Sequence, residues 1–367
     1  MEIKYPIKFK AAILEEVNKP LNVEEIVFQG PLEPGQVLVR IHYSGICGKQ
    51  IEEIEGTRPD PYLPHLLGHE GGGIVVDIGP GVKKVIPGDY VVLHWLKGSG
   101  INSQTPTYNY AKDGRRINAG WITTFNEYGV ISENRITKIP ENTRLDIVCL
   151  LGCCVTSGLG VIFNEAKPLP GDSVAVFGCG GVGLNAIQAA ALMHAYPIIA
   201  VDINDKSLEL AKEFGATHFV NPNLVNVVEE IKRTTNPHGK EIKDAKNFNL
   251  KEAGADYIIS CVSNPKAIED AVSSGSIPGT VFFVGVPPYF SKITVNAFDI
   301  HASKVLRGSS GGGTFPDKDI LRYLNLYNKG IIKLEPLIFK RITLENVNEG
   351  IKSTKSQEIG RCIIDMT

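Results

Sequence analysis

Hydrophobic and polar positions follow two different patterns along the chain. Up to about residue 150, short runs rich in β-branched residues alternate with glycine and proline turns, which predicts strands. The clearest runs are VLVRIHYSGIC, GGGIVVDIG and DYVVLHW. Short strands broken by glycine turns indicate a β-rich, partly barrel-like domain.

From Ser173 onward, apolar strands alternate with helical segments. VAVF precedes a tight turn and the helical stretch LNAIQAAALM, and IIAVDI precedes DKSLELAKEFGA. DYIISCV and TVFFVGV are further apolar strands. This alternation is typical of βαβ units in a parallel sheet, so the predicted fold class is α/β.

Two later segments break this alternation. The polar, lysine-rich stretch from about residue 223 to 251 is interpreted as a helix followed by a surface excursion without a function of its own. After Arg307 the chain is glycine-rich, then helical, and it ends in the predicted strand RCIIDM.

Composition limits the classes of function. A chain of 367 residues with 43 % hydrophobic and 21 % charged residues is typical of a globular protein of two or three domains. The formal net charge of −2, without a basic stripe, gives no reason to expect a nucleic acid or a membrane as partner. Because no apolar run resembles a signal peptide or a membrane helix, we expect a cytosolic protein whose seven cysteines are free thiols or metal ligands.

A glycine-rich turn carries the first chemical signal. Gly178, Gly180 and Gly183 fit the GxGxxG pattern between an apolar strand and a helix, which is the context that a dinucleotide site requires. We expect Gly178 to permit the tight turn, Gly180 to let the backbone approach a pyrophosphate, and Gly183 to allow close helix–strand packing. The alternative is a glycine-rich turn in some other α/β fold.

The helix and the acid that follow complete this prediction. Gly181 and Val182 open the helix, whose free N–H groups favour a pyrophosphate. Asp202 closes the next strand, 19 residues after Gly183, where its carboxylate accepts hydrogen bonds from the adenosine ribose. Since a carboxylate there repels a 2′-phosphate, the sequence favours NAD over NADP.

Three candidate metal ligands lie in separate segments. They are Cys47 in SGICGKQ, His69 in LLGHEGGG and Cys153 in LLGCCVTSGLG. Two cysteines and a histidine suit a catalytic Zn²⁺ whose fourth position is open for water or substrate. Since no pair has zinc-finger spacing, and a single histidine is more often structural, the prediction depends on the whole set.

Together these motifs resemble the zinc-containing medium-chain dehydrogenases of the alcohol and sorbitol dehydrogenase superfamily. The resemblance covers essentially the whole chain, including GHEGGGIVVDIGPGVKKVIPGDYVV, PGDSVAVFGCGGVGLNAIQAAALM and IGRCIID. It implies a GroES-like catalytic domain at residues 1–154, a Rossmann NAD-binding domain at 155–305, and a return to the catalytic domain at 306–367. It also implies a homodimer, with a tetramer left open, that pairs sheet edges at TVFFVGV and KITVNAFDI.

The resemblance assigns roles to single positions. Cys47, His69 and Cys153 match the ligands of one catalytic zinc, which makes Cys154 the neighbour of a ligand, and Glu70 matches the carboxylate beside the metal. Cys149 is expected in the core. The remaining positions expected at the cofactor are Lys206, Val284 and Arg361, although an exposed helix lysine and a surface arginine are the alternatives for Lys206 and Arg361.

Two departures from the family pattern affect function. The segment after Trp95, LKGSGINSQTPTYNYAKDGRRINAGW, has no cysteine, so we expect no structural zinc and place this segment near the substrate cleft or a subunit contact. Lys49 stands where relatives have the Ser or Thr that relays the substrate proton. Gln50 replaces the Asp that accepts a hydrogen bond from the zinc-ligand histidine, and Glu52 stands where some relatives have the last relay histidine.

Lys49 leaves two interpretations open. In the first it points into the site, where Zn²⁺, NAD⁺ and burial disfavour its ammonium form, and it acts as acid and base with Glu52 next outward, or binds an anionic or polyhydroxylated substrate. In the second it faces solvent and a water relays the proton. The change favours a sugar, cyclitol or polyol over ethanol, and Trp95 offers a flat face for a sugar ring.

The predicted activity is therefore an NAD-linked alcohol dehydrogenase. Zinc acts as a Lewis acid that lowers the pKa of the substrate hydroxyl, and the resulting alkoxide transfers hydride to NAD⁺. The alternatives are a zinc-free quinone or enone reductase and a non-catalytic NAD-binding structural protein.

Overall fold

The computed structural model describes residues 3–57, 62–236, 253–356 and 359–367. The chain folds into two compact units, one formed by Met1–Cys153 with Phe315–Thr367 and the other by Cys154–Thr314. The surface excursion expected after the helix at Val227–Thr235 falls largely at residues 237–252, outside the described residues.

The strands of the described residues are numbered in chain order. They are β1 Ile7–Leu14, β2 Asn22–Phe28, β3 Gln36–Ile46, β4 His65–Leu66, β5 Glu70–Ile78, β6 Tyr90–His94, β7 Thr107–Tyr110, β8 Arg116–Asn118, β9 Tyr128–Ser132, β10 Ile136–Ile139, β11 Val174–Phe177, β12 Ile198–Val201, β13 His218–Val220, β14 Ala255–Ser260, β15 Gly275–Phe283, β16 Val305–Gly308, β17 Ile338–Thr343 and β18 Arg361–Asp365.

The helices follow the same convention. They are α1 Gly48–Ile54, α2 Leu145–Val148, α3 Cys154–Gly160, α4 Gly181–Leu192, α5 Asp205–Glu213, α6 Val227–Thr235, α7 Pro265–Ser274, α8 Ala297–His301, α9 Pro316–Asn328 and α10 Val347–Lys355, with a π-helical turn at Val161–Ala166 and short 3₁₀ turns at Glu133–Arg135, Cys149–Gly152, Gly311–Gly313, Glu335–Leu337 and Leu344–Asn346. Among the described residues no single helix has the length and apolar composition to cross a membrane, and one bent pair, Leu145–Gly152 with Cys154–Ala166, has both.

The first unit is β-rich and partly barrel-like, as predicted. Strands β1, β2, β7, β8 and β4 close into a barrel. A second sheet has the order β10-β6-β5-β3-β18-β17, with β9 also paired to β3. The long strand β3 therefore pairs with β5, β9 and β18, and its carboxyl end leads directly to Cys47.

The cysteine-free segment after Trp95 is built into the barrel. Strand β7 pairs with both β2 and β8. Tyr108 and Tyr110 lie two residues apart on β7, so both point to the same side of the strand, and both are buried in the barrel core. This segment thus supplies two strands of the barrel. The sequence analysis placed it near the substrate cleft or a subunit contact and predicted no strands there.

The buried carboxylate of Glu133 anchors the start of that segment through hydrogen bonds. Glu133 is 2 % exposed. One of its oxygens accepts the backbone N–H groups of Lys83 at 2.6 Å and Lys84 at 2.9 Å, and the other accepts that of Ile101 at 2.7 Å. Burial opposes the charge on Glu133, but the three backbone hydrogen bonds outweigh it, so the pKa of Glu133 lies below its ordinary value.

The second unit is a parallel sheet of six strands. Their order is β13-β12-β11-β14-β15-β16, and each neighbouring pair is parallel. Counted from β11, this is the order 3-2-1-4-5-6 of the doubly wound dinucleotide-binding fold. Strands β11 and β12 are buried along their whole length, as their continuous apolar runs predict.

The structure differs from the sequence-based prediction at the last strand of this sheet. The first four residues of TVFFVGV form the end of β15, which lies between β14 and β16 and is not an edge. KITVNAFDI holds no strand; it leads into α8, because the Asn296 side chain accepts the Phe298 N–H and caps that helix. The edge on this side of the sheet is β16. The second unit extends to Thr314, whereas the predicted boundary lies between residues 305 and 306.

We expect Glu133→Gln to lower the free energy of unfolding of the first unit by about 1–3 kcal/mol at pH 7, because one neutral oxygen replaces two charged acceptors. The pKa of Glu133 is lowered by folding, so its stabilisation is present above its unfolded pKa and is lost as the pH falls through the folded value. The difference between wild type and variant should therefore shrink at low pH.

Urea unfolding followed by tryptophan fluorescence measures this effect, since Trp95 and Trp121 both lie in the first unit. Glu141→Gln, which changes an exposed carboxylate, is the matched control. Equal urea midpoints for the two variants would contradict the anchoring role of Glu133.

Candidate metal centre and nucleotide site

Cys47, His69 and Cys153 come together in the first unit. Their candidate ligand atoms lie within 4.8 Å of one another. Cys47 follows β3, His69 precedes β5, and Cys153 follows the 3₁₀ turn Cys149–Gly152. The Nε2 atom of His69 is buried and has no hydrogen-bond partner among the described residues. Two sulfurs and an orphaned imidazole nitrogen at this separation fit the ligand set of a catalytic zinc.

Gly68 sets the position of His69. Its φ is +93°, a conformation that side chains rarely adopt, and a Cβ there would lie 2.3 Å from Thr124 Oγ1. This close approach lets the Thr124 N–H donate to the Leu67 carbonyl at 3.0 Å. The Ser44 hydroxyl donates to the Glu70 carbonyl at 3.0 Å on the other side. The backbone around His69 is therefore fixed from both flanks.

A hydrogen bond between the thiols of Cys47 and Cys153 moves their pKa values in opposite directions. A hydrogen bond from the Cys153 thiol holds the pKa of Cys47 well below its ordinary value against the opposing effect of burial, and the Arg361 charge acts in the same direction. The same hydrogen bond raises the pKa of Cys153. One sulfur is thus favoured as a thiolate, and a metal that takes both sulfurs releases the proton of the other.

Charges around His69 favour its protonated form. Burial lowers the pKa of His69, but Cys47 and the carboxylates of Glu70 and Glu53 raise it, and the net direction is upward. Since a metal ligand must be unprotonated, metal binding competes with protonation of His69.

Gln50 faces both of the first two ligands. Its Oε1 accepts the backbone N–H of Cys47 at 3.0 Å, and its Nε2 lies 2.7 Å from His69 Nδ1. The sequence led us to expect an acceptor for the histidine. In the structure the oxygen serves Cys47, and the amide nitrogen faces the ring.

Glu70 and Arg361 form a buried ion pair beside the ligands. Glu70 is 0 % and Arg361 is 6 % exposed, and Arg361 Nε lies 2.9 Å from Glu70 Oε1. Arg361 Nη2 also donates to Cys47 Sγ at 3.4 Å. Gly45 leaves room for the carboxylate, because a Cβ there would lie 2.4 Å from Glu70 Oε1.

These contacts change the expectation for Arg361. The alternative of a surface arginine is wrong, because the side chain is buried. Its charge is directed at Glu70 and Cys47, and its contact with a cofactor pyrophosphate stays a prediction. Pairing of Cys362 with Ile46 in β18 and β3 explains this placement, since it sets Arg361 next to Cys47.

Lys49 lies on α1 between two acidic side chains. Its Nζ is 3.6 Å from Glu52 Oε2 and 3.6 Å from Glu53 Oε1, and all three side chains are partly exposed. Which of the two sequence-based interpretations of Lys49 holds stays a prediction.

Trp95 follows the end of β6, whose last residue, His94, pairs with Glu70 of β5. Arg135 donates a hydrogen bond to the Trp95 carbonyl. The indole Nε1 is buried without a hydrogen-bond partner in the part of the chain that the structure describes. This position next to the residues of the metal cluster agrees with a place in the substrate pocket, which stays a prediction.

The other cysteines are not members of this ligand group. All seven cysteines are free thiols. Cys149 is fully buried, as expected for a core residue, and Cys154 is fully buried at the start of α3 in the second unit. The metal-ligand group contains Cys153 and not Cys154.

The glycine-rich turn of the second unit has the geometry that the GxGxxG pattern requires. Gly178 has φ +88°, and a Cβ on Gly183 would lie 1.9 Å from the Gly178 carbonyl oxygen. A Cβ on Gly180 would meet no described atom within 4 Å, so the backbone there faces open space. Gly180 caps α4 without a side chain, which leaves the N–H groups of its first turn, including Gly181 and Val182, available to an anion.

Asp202 also organises this turn, which the sequence did not indicate. Its Oδ2 accepts the Cys179 N–H at 2.7 Å, and its Oδ1 accepts the Asn204 N–H at 2.9 Å. Both oxygens keep further lone pairs for a ribose hydroxyl. Of the other expected cofactor residues, Lys206 is exposed on α5, and Val284 follows β15 and donates its N–H to the Ser260 carbonyl at 2.9 Å.

Comparisons with known proteins show which family the chain matches. Residues 33–141 match the model of the alcohol dehydrogenase GroES-like domain, and residues 181–329 match that of the zinc-binding dehydrogenases. The structure is similar to that of an alcohol dehydrogenase zinc-binding domain protein from Burkholderia ambifaria, with TM-score 0.87 and 27 % identity over 99 % of this chain and 100 % of that one. It is also similar to benzyl alcohol dehydrogenase from Acinetobacter calcoaceticus, with TM-score 0.85 and 26 % identity over 98 % of this chain and 100 % of that one.

Curated relatives extend over the whole chain. The S-(hydroxymethyl)glutathione dehydrogenase of Paracoccus denitrificans is 32 % identical over 98 % of this chain and 100 % of its own length. The enzyme of the same name from Saccharomyces cerevisiae is 31 % identical over 98 % of this chain and 96 % of its own. The chain therefore belongs to the zinc-dependent alcohol dehydrogenases of the medium-chain dehydrogenase/reductase superfamily, with a GroES-like catalytic domain and a Rossmann domain for NAD.

Proposed function

We propose that this alcohol dehydrogenase oxidises a secondary alcohol of a polyol, cyclitol or sugar with NAD⁺ and reduces the corresponding ketone in the reverse direction. The observation that carries the proposal is the cluster of Cys47, His69 and Cys153, together with helix α1. This helix begins directly after Cys47 and bears Lys49 between two carboxylates. Membership of the family makes the protein an NAD-dependent alcohol oxidoreductase. The polar groups on α1 support the substrate class.

The separation of the three candidate ligand atoms supports this choice of ligands. Cys47 Sγ, His69 Nε2 and Cys153 Sγ would hold zinc, which when bound supplies a Lewis acid at the substrate oxygen, while NAD⁺ accepts the hydride. The side chains around the ligands position them and compensate the buried charges. Arg361 compensates the charge of Glu70, so this carboxylate can remain ionised and buried next to the ligands.

Lys49 and its partners suit a substrate with several hydroxyl groups. The 3.6 Å separations from Glu52 and Glu53 are longer than hydrogen bonds, so the N–H groups of Lys49 remain available to a third group. A hydroxyl can accept from the Lys49 ammonium and donate to the Glu52 carboxylate at the same time. A second hydroxyl on the substrate uses both groups, whereas ethanol has none to offer. The Glu52 carboxylate is also the group that would take a proton outward.

In the second unit, the turn and the acid bind the cofactor. The N–H groups of Gly181, Val182 and Gly183 at the start of α4 would hold the pyrophosphate. Asp202 would accept from the adenosine ribose through its remaining lone pairs. Lys206, Val284 and Arg361 complete the proposed cofactor set.

A second candidate substrate is a hydroxymethyl adduct of a thiol. The relatives from Paracoccus denitrificans and Saccharomyces cerevisiae are named for S-(hydroxymethyl)glutathione, and they match almost the whole chain. Glutathione is anionic, so the Lys49 ammonium is the group that would favour it over a neutral alcohol. A zinc-free reductase has no use for the three converging ligands, and a non-catalytic role predicts no turnover with bound zinc and NAD⁺.

We also propose a homodimer in the cytosol, with a tetramer as the alternative. Strand β16 is an edge of the six-stranded sheet, and Val305 on it is half exposed. Tyr289, Phe290 and Phe298, from the segment between β15 and β16, are exposed apolar side chains in the same unit. Seven free thiols agree with a reducing compartment.

Zinc content tests the ligand assignment. Purified wild-type protein should contain about one zinc per protomer, and Cys47→Ser and Cys153→Ser should each lose most of it, because a serine hydroxyl is a poor zinc ligand. Elemental mass spectrometry of metal-protected protein gives the ratio. Cys154→Ser is the matched control and should keep its zinc; loss of zinc from Cys154→Ser with retention in Cys153→Ser would reverse the assignment of the third ligand.

Cofactor preference tests the role of Asp202. We expect Asp202→Asn to raise the ratio of kcat/KM for NADP⁺ to that for NAD⁺ by about tenfold or more, since it removes the charge that repels a 2′-phosphate. Asp205→Asn, which changes a neighbouring exposed carboxylate at the start of α5, should leave the ratio nearly unchanged. An equal ratio in Asp202→Asn and wild type would remove Asp202 from the cofactor site.

Substrate profiles test the role of Lys49. A panel of myo-inositol, sorbitol, xylitol, benzyl alcohol and a formaldehyde–glutathione mixture should give the highest kcat/KM with a polyol or cyclitol. Lys49→Met should lower that value by about 10- to 100-fold, as expected for loss of a hydrogen bond from a charged group, and should affect benzyl alcohol much less.

Lys8→Met is the control for loss of an ion-paired lysine, because Lys8 pairs with Glu25 on the barrel surface. The highest kcat/KM with the glutathione adduct would favour the second candidate substrate. An equal loss by Lys49→Met on polyols and on benzyl alcohol would show that Lys49 does not select the substrate.

A further inference from the structure

Gln50 connects the backbone of one zinc ligand to the ring of another. Its side chain is 1 % exposed. Its Oε1 accepts the Cys47 N–H at 3.0 Å, and its Nε2 lies 2.7 Å from His69 Nδ1. Since Nδ1 is occupied by this contact and Nε2 is the buried atom without a partner among the described residues, His69 binds a metal through Nε2.

Metal binding through Nε2 fixes the position of the remaining ring proton of His69. A neutral histidine that coordinates a metal through Nε2 carries its proton on Nδ1. In the zinc-loaded protein both groups that face Gln50, the Cys47 N–H and the His69 Nδ1–H, are therefore donors.

A carboxamide cannot serve two donors as a carboxylate does. It has one oxygen acceptor and one NH₂ group, and this holds whichever way the amide is rotated. Either one donor faces the NH₂ group, or both donors share a single oxygen. Burial of Gln50 limits the access of water that would otherwise satisfy the donor left over.

We propose that Gln50 is a positioning residue that holds the zinc affinity of this enzyme below the value that a carboxylate at the same position would give. In the zinc-loaded protein the His69 Nδ1–H gains an acceptor only if the Gln50 oxygen turns toward His69 or is shared, and this weakens the hydrogen bond of Gln50 to Cys47 at the start of α1. Because α1 carries Lys49 and Glu52, the hydrogen bonding of this helix changes when the metal binds. The proposal rests on the zinc site and is independent of the substrate.

Zinc affinity of the metal-free protein is the measurement. Competition with a chromophoric chelator at pH 7.5 gives the Kd for zinc alone, without alcohol or NAD⁺. We expect Gln50→Glu to lower this Kd by about tenfold or more, within the range found when groups that hydrogen-bond to zinc ligands are changed. Gln50→Met, which has no oxygen acceptor, should raise it. Gln50→Asp provides a second carboxylate and tests the same expectation if Gln50→Glu does not fold.

A charge control separates hydrogen bonding from simple attraction. Glu53→Gln removes one negative charge that acts on His69 and leaves the contacts of Gln50 in place. It should change the Kd by less than about threefold, as expected for a partly exposed, screened charge.

Two results would overturn the proposal. One is a folded carboxylate variant that binds zinc no more tightly than wild type. The other is a loss of affinity in Glu53→Gln as large as the gain in Gln50→Glu, which would make net charge the cause. Neither result bears on the choice between polyol and glutathione adduct, because the measurement contains no alcohol.

Discussion

The antiparallel pairing of β18 with β3 is the constraint on which the metal centre depends. It places Arg361, near the end of the chain, against Cys47 and Glu70, which lie more than 290 residues earlier. A buried carboxylate beside two cysteines carries a large desolvation cost unless a cation is close to it. Arg361 supplies that cation, and Gly45 supplies the space for the carboxylate. The fold thus pairs the carboxylate next to the ligands with a cation.

Carboxylates also fix the backbone elsewhere in the first unit, by accepting hydrogen bonds from N–H groups. Glu133 collects three backbone N–H groups around the start of the segment that follows Trp95, and Asp317 accepts the Ser99 N–H at 2.7 Å. A carboxylate that accepts several backbone N–H groups is stable when buried, because these bonds replace its water. In this chain the segment that lacks cysteine is ordered by acids on neighbouring elements, and its two strands close the barrel.

Asp202 shows how one residue can serve structure and binding together. Its two oxygens hold the turn through Cys179 and Asn204, so the carboxylate is already oriented when a nucleotide arrives. Preorganisation of this kind lowers the entropy that binding must overcome. Gln50 also contacts two groups at the metal centre, the Cys47 N–H and the His69 ring. With zinc bound, both groups are donors, and the Gln50 side chain has a single oxygen to accept them. A carboxylate would offer one oxygen to each.

The sequence by itself determined the longer strands, the parallel sheet and the glycine turn, because these depend on local periodicity. It also predicted, as a set, the two cysteines and the histidine that the structure brings together. It did not determine which side chains pair across the fold. The contact of Arg361 with Glu70, the carboxylates around Lys49, the strands after Trp95 and the edge at β16 all depend on strand register or helix packing between distant segments. Local sequence has no information on such register, since the same pattern of residues permits several partners until the tertiary structure selects one.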